Sequence, residues 1–355
     1  LGCLYTPRLV KRAGHIRAFS ILCAAAAIAI LLSLIMLSPW AWIPLRGVSG
    51  FCFAGAAMIV ESWLSEEAEP STRGRIFGFY TMVNLLGTTG GQLLLITGDI
   101  STELFFGLAA IFYSLALIPT AITSSKSPSP LVSVDIKLSA LWRNSPIAVF
   151  AVFMVGISNG SFGTLAPVYA DKIGLGITSV VLFTSIPVLA GALTQIPVGA
   201  LSDRFDRRYV LLILAVVALA VDAGFIIMAP TGANANIFLA AALGCAIFSM
   251  YPVLIAHAND HAEPGSYIQT SGGLLMVFGV GSIIGPFVGG IGFMIIGEMS
   301  LFFTITVAHA LIIMFGVWRM TRRGQIDPED KTAFQAAPMA RNATPETYGL
   351  GDHGE

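Results

Sequence analysis

Charge is what this sequence has least of. Lysine, arginine, aspartate and glutamate make up 11% of its 355 residues, where a soluble domain carries about a quarter. That scarcity excludes an ordinary water-soluble globule. Cysteine is scarce as well. Cys3, Cys23, Cys52 and Cys245 lie in or beside apolar runs with no C-x-x-C or metal-ligand spacing, so they read as small packing residues and no metal site is expected. A net charge of −1 says nothing by itself about nucleic acid or acidic partners, and no nucleic acid is expected. With no H-E-x-x-H metalloprotease helix, serine-hydrolase elbow or P-loop expected, the chain reads as neither an enzyme nor an ATP-driven pump, and no cofactor is anticipated.

What fills the sequence instead is apolar runs of about 20 residues, each long enough to cross a hydrocarbon core roughly 30 Å thick. They are expected as membrane helices near 18–37, 41–62, 76–97, 103–122, 147–170, 176–200, 209–229, 236–257, 268–296 and 300–319. All the lysines and arginines except Arg46 and Lys172 then fall on one side of the membrane. By the positive-inside rule that side is the cytoplasm, and both ends of the chain lie there. The connections on the other side are short, as in a compact bundle.

The longest internal connection is 123–146. Its first part, Ser124-Ser-Lys-Ser-Pro-Ser-Pro130, reads as flexible linker. Its second part spaces Leu131, Val134, Leu138 and Leu141 as one face of a helix lying on the cytoplasmic surface. A partly ordered linker is the alternative. Residues 325–355 are polar with scattered proline, glycine and alanine, and are expected to be disordered.

Three motifs are specific. Gly199-Ala-Leu201-Ser-Asp203-Arg204-Phe-Asp206-Arg207-Arg208 forms a tight turn between two helices. Asp203 is placed to meet a basic group or a helix N-terminus, with Arg207 and Arg208 expected to anchor the next helix at the headgroups. Gly281-Ser-Ile-Ile-Gly285-Pro286-Phe-Val-Gly289-Gly290 makes a small-residue face for close helix packing. Arg46-Gly-Val-Ser-Gly50 puts an arginine inside a membrane segment, where it faces a polar cavity or snorkels to the headgroups.

Together these motifs closely resemble the signatures of the major facilitator superfamily: G-x-L-x-D-R-x-G-R-R, G-x-x-x-G-P-x-x-G-G and R-x-x-x-G, with Asp206 in the second glycine position of the first. Glu61-Ser-Trp63-Leu and the loop pattern look most like the YcaD-type branch. The resemblance spans residue 1 to about 323 and implies an all-α membrane protein of two pseudo-symmetric six-helix bundles. The helices number themselves 3 to 12. Gly2-Cys-Leu4 through His15 becomes the loop after helix 2, with Thr6 in the aspartate position. Helix 1 and most of helix 2 are expected to precede Leu1 in a longer reading frame, and the chain by itself is expected not to transport. An internal repeat of about 200 residues, from Gly2 to Gly199 and from Gly90-Gly91 to Gly289-Gly290, fits this fold. The expected division is 1–122, 123–146, 147–320 and 321–355.

The family's cavity is lined by helices 1, 4, 7 and 10. This implies substrate contacts from Arg46, from Ser158, Asn159, Ser161, Phe162 and Thr164, and from Ser249, Tyr251 and Pro252. Asn84, Gln92, Thr184 and Gln195 are further polar candidates, and outside the Asn159 patch each of these polar residues equally suits an interhelical hydrogen bond. The glycine-interrupted 158–161 patch suits an unwound turn. Gly199, Leu201, Asp203, Arg204, Arg207 and Arg208 are implied as a conformational latch. Glu61, Asp222 and His309 are proton-coupling candidates. Asp222 and His309 fall at nearly the same depth, on helices peripheral in this fold, and are expected to pair to spare lipid a lone charge, with a structural role as the alternative to proton coupling. Glu61 equally suits a cap or a bridge to Arg73 or Arg75. The expectation is a monomeric secondary transporter of a small solute in a bacterial inner membrane, driven by protons. A sensor or scaffold that keeps the fold without transport is the alternative.

Overall fold

Inside hydrocarbon a backbone has no water to bond with, so each apolar run must close its own hydrogen bonds as a helix. The computed structural model describes residues 2–67, 73–122, 138–262 and 267–322, with Thr332, Phe334 and Thr344 beyond them, and all regular structure among these is helical. The helices are α1 (Gly2–Ala13), α2 (His15–Ile35), α3 (Pro39–Glu67), α4 (Arg73–Leu94), α5 (Leu104–Leu115), α6 (Leu117–Ile122), α7 (Leu138–Asn144), α8 (Pro146–Lys172), α9 (Ile177–Arg204), α10 (Arg207–Met228), α11 (Ala233–Asn259), α12 (Tyr267–Ile296) and α13 (Ser300–Met320). Eight of them (α2, α3 and α8 to α13) are long and apolar enough to cross a membrane.

Three stretches depart from the sequence expectation. The span near 76–97 is α4 followed by a 3-10 turn, and Thr81, Asn84, Thr88, Thr89 and Gln92 among its glycines leave it less apolar than the eight. The span near 103–122 breaks at Ala116 into α5 and α6. Pro119 has no N–H for the Leu115 carbonyl and its ring crowds that position. The stretch read as a loop before His15 is helical. Thr6 and Val10 are buried, Gly2 sits against the Phe51 carbonyl and Gly55 against the Thr6 hydroxyl. Of the expected surface helix, residues 131–137 lie outside the described residues, and α7 carries the remainder with Leu141 buried. The expected disordered tail also lies outside them, apart from the three residues named.

The chain forms two compact units. The first comprises Leu1–Phe79, Thr97–Asp135 and Asn342–Glu355; the second comprises Tyr80–Ile96 and Ile136–Arg341. In the first, α2 packs on α3 and α5 around Val10, Ala18, Leu22, Ala26, Cys52, Met58 and Ile59. In the second, the most extensive contacts are α8 on α12 and α9 on α11, with α10 and α13 packed alongside.

Lipid tails are as apolar as leucine, so helices in a membrane associate through close packing and polar contacts rather than water exclusion. The second unit uses glycine for this twice. Gly281 and Gly285 of α12 face the Phe153 and Ile157 carbonyls of α8, while Gly156 and Gly160 of α8 face Phe278 and Ser282 of α12. The Ser282 hydroxyl donates across the seam to the Gly156 carbonyl at 3.3 Å. At the other crossing Gly191 of α9 meets Gly244 and Phe248 of α11, and Gly244 meets Pro187. A side chain at these positions would strike backbone, which moves only if the helices separate. Gly289 faces Leu165, whereas a Cβ at Gly290 would meet nothing within 4 Å. Gly281→Leu is therefore expected to cost about 1–3 kcal/mol, and Gly290→Ala less than about 0.5 kcal/mol. Thermal unfolding in detergent, followed by tryptophan fluorescence, separates the two.

Candidate functional site

Helix α8 carries the polar patch that the sequence singles out. It is a continuous helix from Pro146 to Lys172, so the expected unwound turn is absent. Gly160 is packed against the backbone of Ser282, and this support keeps the helix regular. A regular helix sends residues 100° apart, and the four patch residues diverge accordingly. Ser158 points to α13, and its Oγ lies 2.9 Å from Nε2 of His309. Ser161 faces Gly285 of α12 and its Oγ has no hydrogen-bond partner. Phe162 enters an aromatic cluster beside Phe183, 5.9 Å between ring centres. Asn159 is half-buried, and its side-chain carbonyl oxygen is buried without a partner. Thr164 is exposed.

Behind Ser158 lies the pair expected from depth alone. Nδ1 of His309 on α13 is 2.6 Å from Oδ2 of Asp222 on α10. Ser158, His309 and Asp222 are all fully buried. Three helices thus share one chain of hydrogen bonds, and the second Asp222 oxygen is left without a donor. The sequence around Ser158, Gly156-Ile-Ser158-Asn-Gly160, also spells G-x-S-x-G, which the expectation of no serine-hydrolase elbow passes over. The spelling is not an elbow here. An elbow needs an exposed serine on a strand-to-helix turn, and this serine is buried mid-helix, between glycines that serve the α12 crossing.

The remaining candidates scatter. Arg46 is exposed on α3, with no partner among the described residues. Asn84 is half-buried on α4. Gln92 accepts a hydrogen bond from the Ser185 hydroxyl at 2.7 Å. Thr184 bonds back to carbonyls of its own helix. Gln195 donates to the Phe248 carbonyl at 3.4 Å, across the α9–α11 crossing. Ser249 is buried with an unpartnered hydroxyl. Tyr251 is buried against Phe278, and Pro252 is buried one residue on. Glu61 is fully buried and accepts from the Thr344 hydroxyl. The side chains of Arg73 and Arg75, its expected alternatives, lie outside the described residues.

The turn between α9 and α10 corrects one expectation sharply. Arg207 is 1% exposed and anchors nothing at the headgroups. Its Nε meets Asp260 at 2.8 Å, Nη1 reaches the Ser202 hydroxyl at 3.3 Å, and Nη2 reaches the Thr332 carbonyl and, at 3.3 Å, Asp203. Asp260, at the end of α11, also accepts from the Thr332 amide and hydroxyl at 2.9 and 2.8 Å. A buried guanidinium needs this many partners, because an unpaired one costs several kcal/mol. Asp203 in addition accepts from the Phe334 amide at 3.1 Å, and the Phe334 ring lies on Gly199. Arg204 and Leu201 are exposed.

Asp206 explains itself as the N-cap of α10. Its carboxylate accepts from the Arg208 amide at 2.9 Å and grips the Arg208 guanidinium at 2.6–3.1 Å. Burial opposes the charged carboxylate, but these Arg208 hydrogen bonds outweigh it and hold the carboxyl below its usual range. Asp260 and Asp206 were both missed as functional partners. Asp206 was visible, because an aspartate directly before a helix is a capping signal.

Comparison with known proteins places this arrangement. The Major Facilitator Superfamily model matches residues 2–268 and 148–344. An uncharacterized MFS-type transporter, YE1530, of Yersinia enterocolitica is 30% identical over 302 residues, covering 81% of this chain and 74% of the relative. The uncharacterized MFS-type transporter YcaD of Salmonella arizonae is 32% identical over 295 residues, with the same coverage. Among solved structures, the nucleoside transporter NupG aligns with a TM-score of 0.71 at 14% identity over 90% of this chain and 88% of that one. The E. coli fucose:proton symporter FucP aligns at 0.54 and 15% identity over 90% and 87%. With eight helices able to cross a membrane and a family model covering nearly its whole length, this chain is a multi-pass membrane protein and belongs to the major facilitator superfamily of transporters.

Proposed function

We propose that this protein moves a small solute across a bacterial inner membrane by alternating access, coupled to protons, as a monomer with both ends of the chain on the cytoplasmic side. The observation that carries the reading is the buried chain Asp222–His309–Ser158, which ends one residue from Asn159 and its unpartnered oxygen. An ionisable pair inside a membrane bundle is costly and marks a pathway more often than a packing site.

The chemistry of the chain supplies a coupling device. With a proton on the Asp222–His309 pair, Nε2 of His309 carries hydrogen and donates to Ser158, whose own hydroxyl hydrogen is then free. With that proton gone, Nε2 accepts and the Ser158 hydroxyl is consumed. Proton occupancy therefore switches the hydrogen bond that ties α8 to α13 at Ser158, the residue before Asn159, and through it how firmly α8 is held where Asn159 sits.

Three outcomes test the reading. A thermal-shift screen against sugars, nucleosides, amino acids, organic acids and cationic drugs is expected to give a ligand whose stabilisation, about 2.7 kcal/mol at a hundredfold excess over Kd, is lost in Asn159→Ala. Binding without any flux in proteoliposomes would favour the sensor reading instead. Asp222→Asn is expected to keep ligand binding while flux stops responding to an imposed pH gradient, measured with a trapped pH dye; unchanged coupling removes the pair from the mechanism. For the latch, Asp260→Ala leaves Arg207 buried without its closest acidic partner and is expected to cost about 3–5 kcal/mol of stability. The double variant Arg207→Leu/Asp260→Leu is expected to recover most of that loss, while slowing exchange between conformations measured by cysteine accessibility.

A further inference from the structure

One end of the second unit gathers the starts of α8 and α10 and the ends of α11 and α13. A cleft there, about 270 Å³ with its open mouth included, is lined by Ser145, Ile147, Arg208, His257, His261 and Arg319. Its enclosed part is small, with room for one compact group rather than a whole solute.

The groups around it are cationic or hydrogen-bond donors. Ser145 is the N-cap of α8 and is 2% exposed, yet its side chain makes no capping bond and its hydroxyl has no partner at all. Pro146 follows at the first helical position, and the first turn of this 27-residue helix contains no acidic residue. The positive end of the α8 dipole is thus left open to the cleft. The neighbouring α10 start is closed by its own Asp206, which is committed to Arg208. Arg319 has no acidic partner among the described residues, and its guanidinium lies over the Trp318 ring at 5.7 Å. His261 donates Nδ1–H to the His257 carbonyl at 2.9 Å, and the two rings meet edge to face at 4.7 Å. Of the other charged groups at this end, Asp203, Arg207 and Asp260 are engaged with one another. A buried orphan hydroxyl, an open helix start and an arginine with no acidic partner among the described residues, all around one space, make an anion site.

The surroundings identify the source of the anion. Trp318 and Trp142 are half-exposed, 49% and 46%, and both ring systems contact Phe315. Tryptophans presented outward at a bundle end mark the membrane–water interface, where basic pockets between helices take up phospholipid headgroups. We propose that this cleft binds the phosphate of an anionic phospholipid, with the Ser145 hydroxyl and the α8 start on one side and Arg319 on the other. The proposal stands apart from the transport reading and survives if that fails.

Phosphatidylglycerol and phosphatidylcholine of identical chains, titrated separately into the protein in neutral detergent, test it by melting temperature and by native mass spectrometry of bound lipid. Phosphatidylglycerol is expected to bind preferentially. Arg319→Gln is expected to weaken that preference about fivefold, with Ser145→Ala weakening it as well. Arg319→Lys restores most of it, and Arg322→Gln, over the same Trp318 ring but outside the cleft lining, leaves it intact. Melting in the absence of lipid is the folding control. A preference for phosphatidylglycerol unchanged in both Arg319→Gln and Ser145→Ala overturns the site. Stabilisation by inorganic phosphate alone that equals the lipid's and depends on Arg319 overturns the lipid as its source.

Discussion

A chain that lies in hydrocarbon has nowhere to send a polar group except to another part of itself. That constraint decides which helices of the second unit meet. Apolar side chains cannot decide it, because leucine against leucine is worth little more than leucine against lipid. The polar contacts are few and each joins specific elements: Asp222, His309 and Ser158 tie α10, α13 and α8, while Arg207 and Asp260 tie the start of α10 to the end of α11. Losing one partner strands the other, so each contact behaves as a register pin rather than a general adhesive.

The glycine crossings complete what the polar pins begin. Helix α8 presents Gly156 and Gly160 to α12 and, two residues from each and so on roughly the opposite side, Ser158 to His309. Its two working faces are therefore held by different physics, backbone contact on one side and a hydrogen-bond chain on the other. Asn159 lies between them, with the one carbonyl oxygen in the stretch that neither side claims. A helix fixed on two faces can position an unsatisfied group in the third direction without collapsing around it, which is what a binding position inside a membrane protein requires.

Much of this was legible in the sequence, and the failures have physical causes. Apolar run length reports helices reliably because hydrocarbon forbids alternatives. Gly281 and Gly285 announced a packing face by their spacing, and the Asp222–His309 contact followed from counting rise along two helices. What the sequence did not disclose is direction around a helix. Ser158, Asn159, Ser161 and Phe162 are neighbours in a list, so they looked like one patch, yet they go to four surroundings. Arg207 looked like a headgroup anchor because an arginine at a helix start usually is one. Its burial depends on Asp260, 53 residues away, and on a tail residue, Thr332, whose approach no local pattern encodes. The breaks around α4 and at Ala116 were hidden by hydropathy averaged over a window, which smooths over a proline and a cluster of threonines.

The two helix starts at the basic end of the second unit show how the same problem takes two solutions. Each start exposes amide groups and a partial positive charge that burial makes expensive to leave unanswered. For α10 the answer is covalently close: Asp206 caps it and spends its remaining capacity on Arg208, so that end is neutral and closed. For α8 the residue in the same role, Ser145, carries no charge and its side chain bonds to nothing, and the charged side chains lining the cleft beside it are the arginines Arg208 and Arg319. The α10 start carries an aspartate in this position and the α8 start does not. An open, buried, positive helix start beside an arginine with no acidic partner among the described residues favours a negative group brought in from outside. At the level of the bundle marked by Trp318 and Trp142, the abundant anion is the lipid itself.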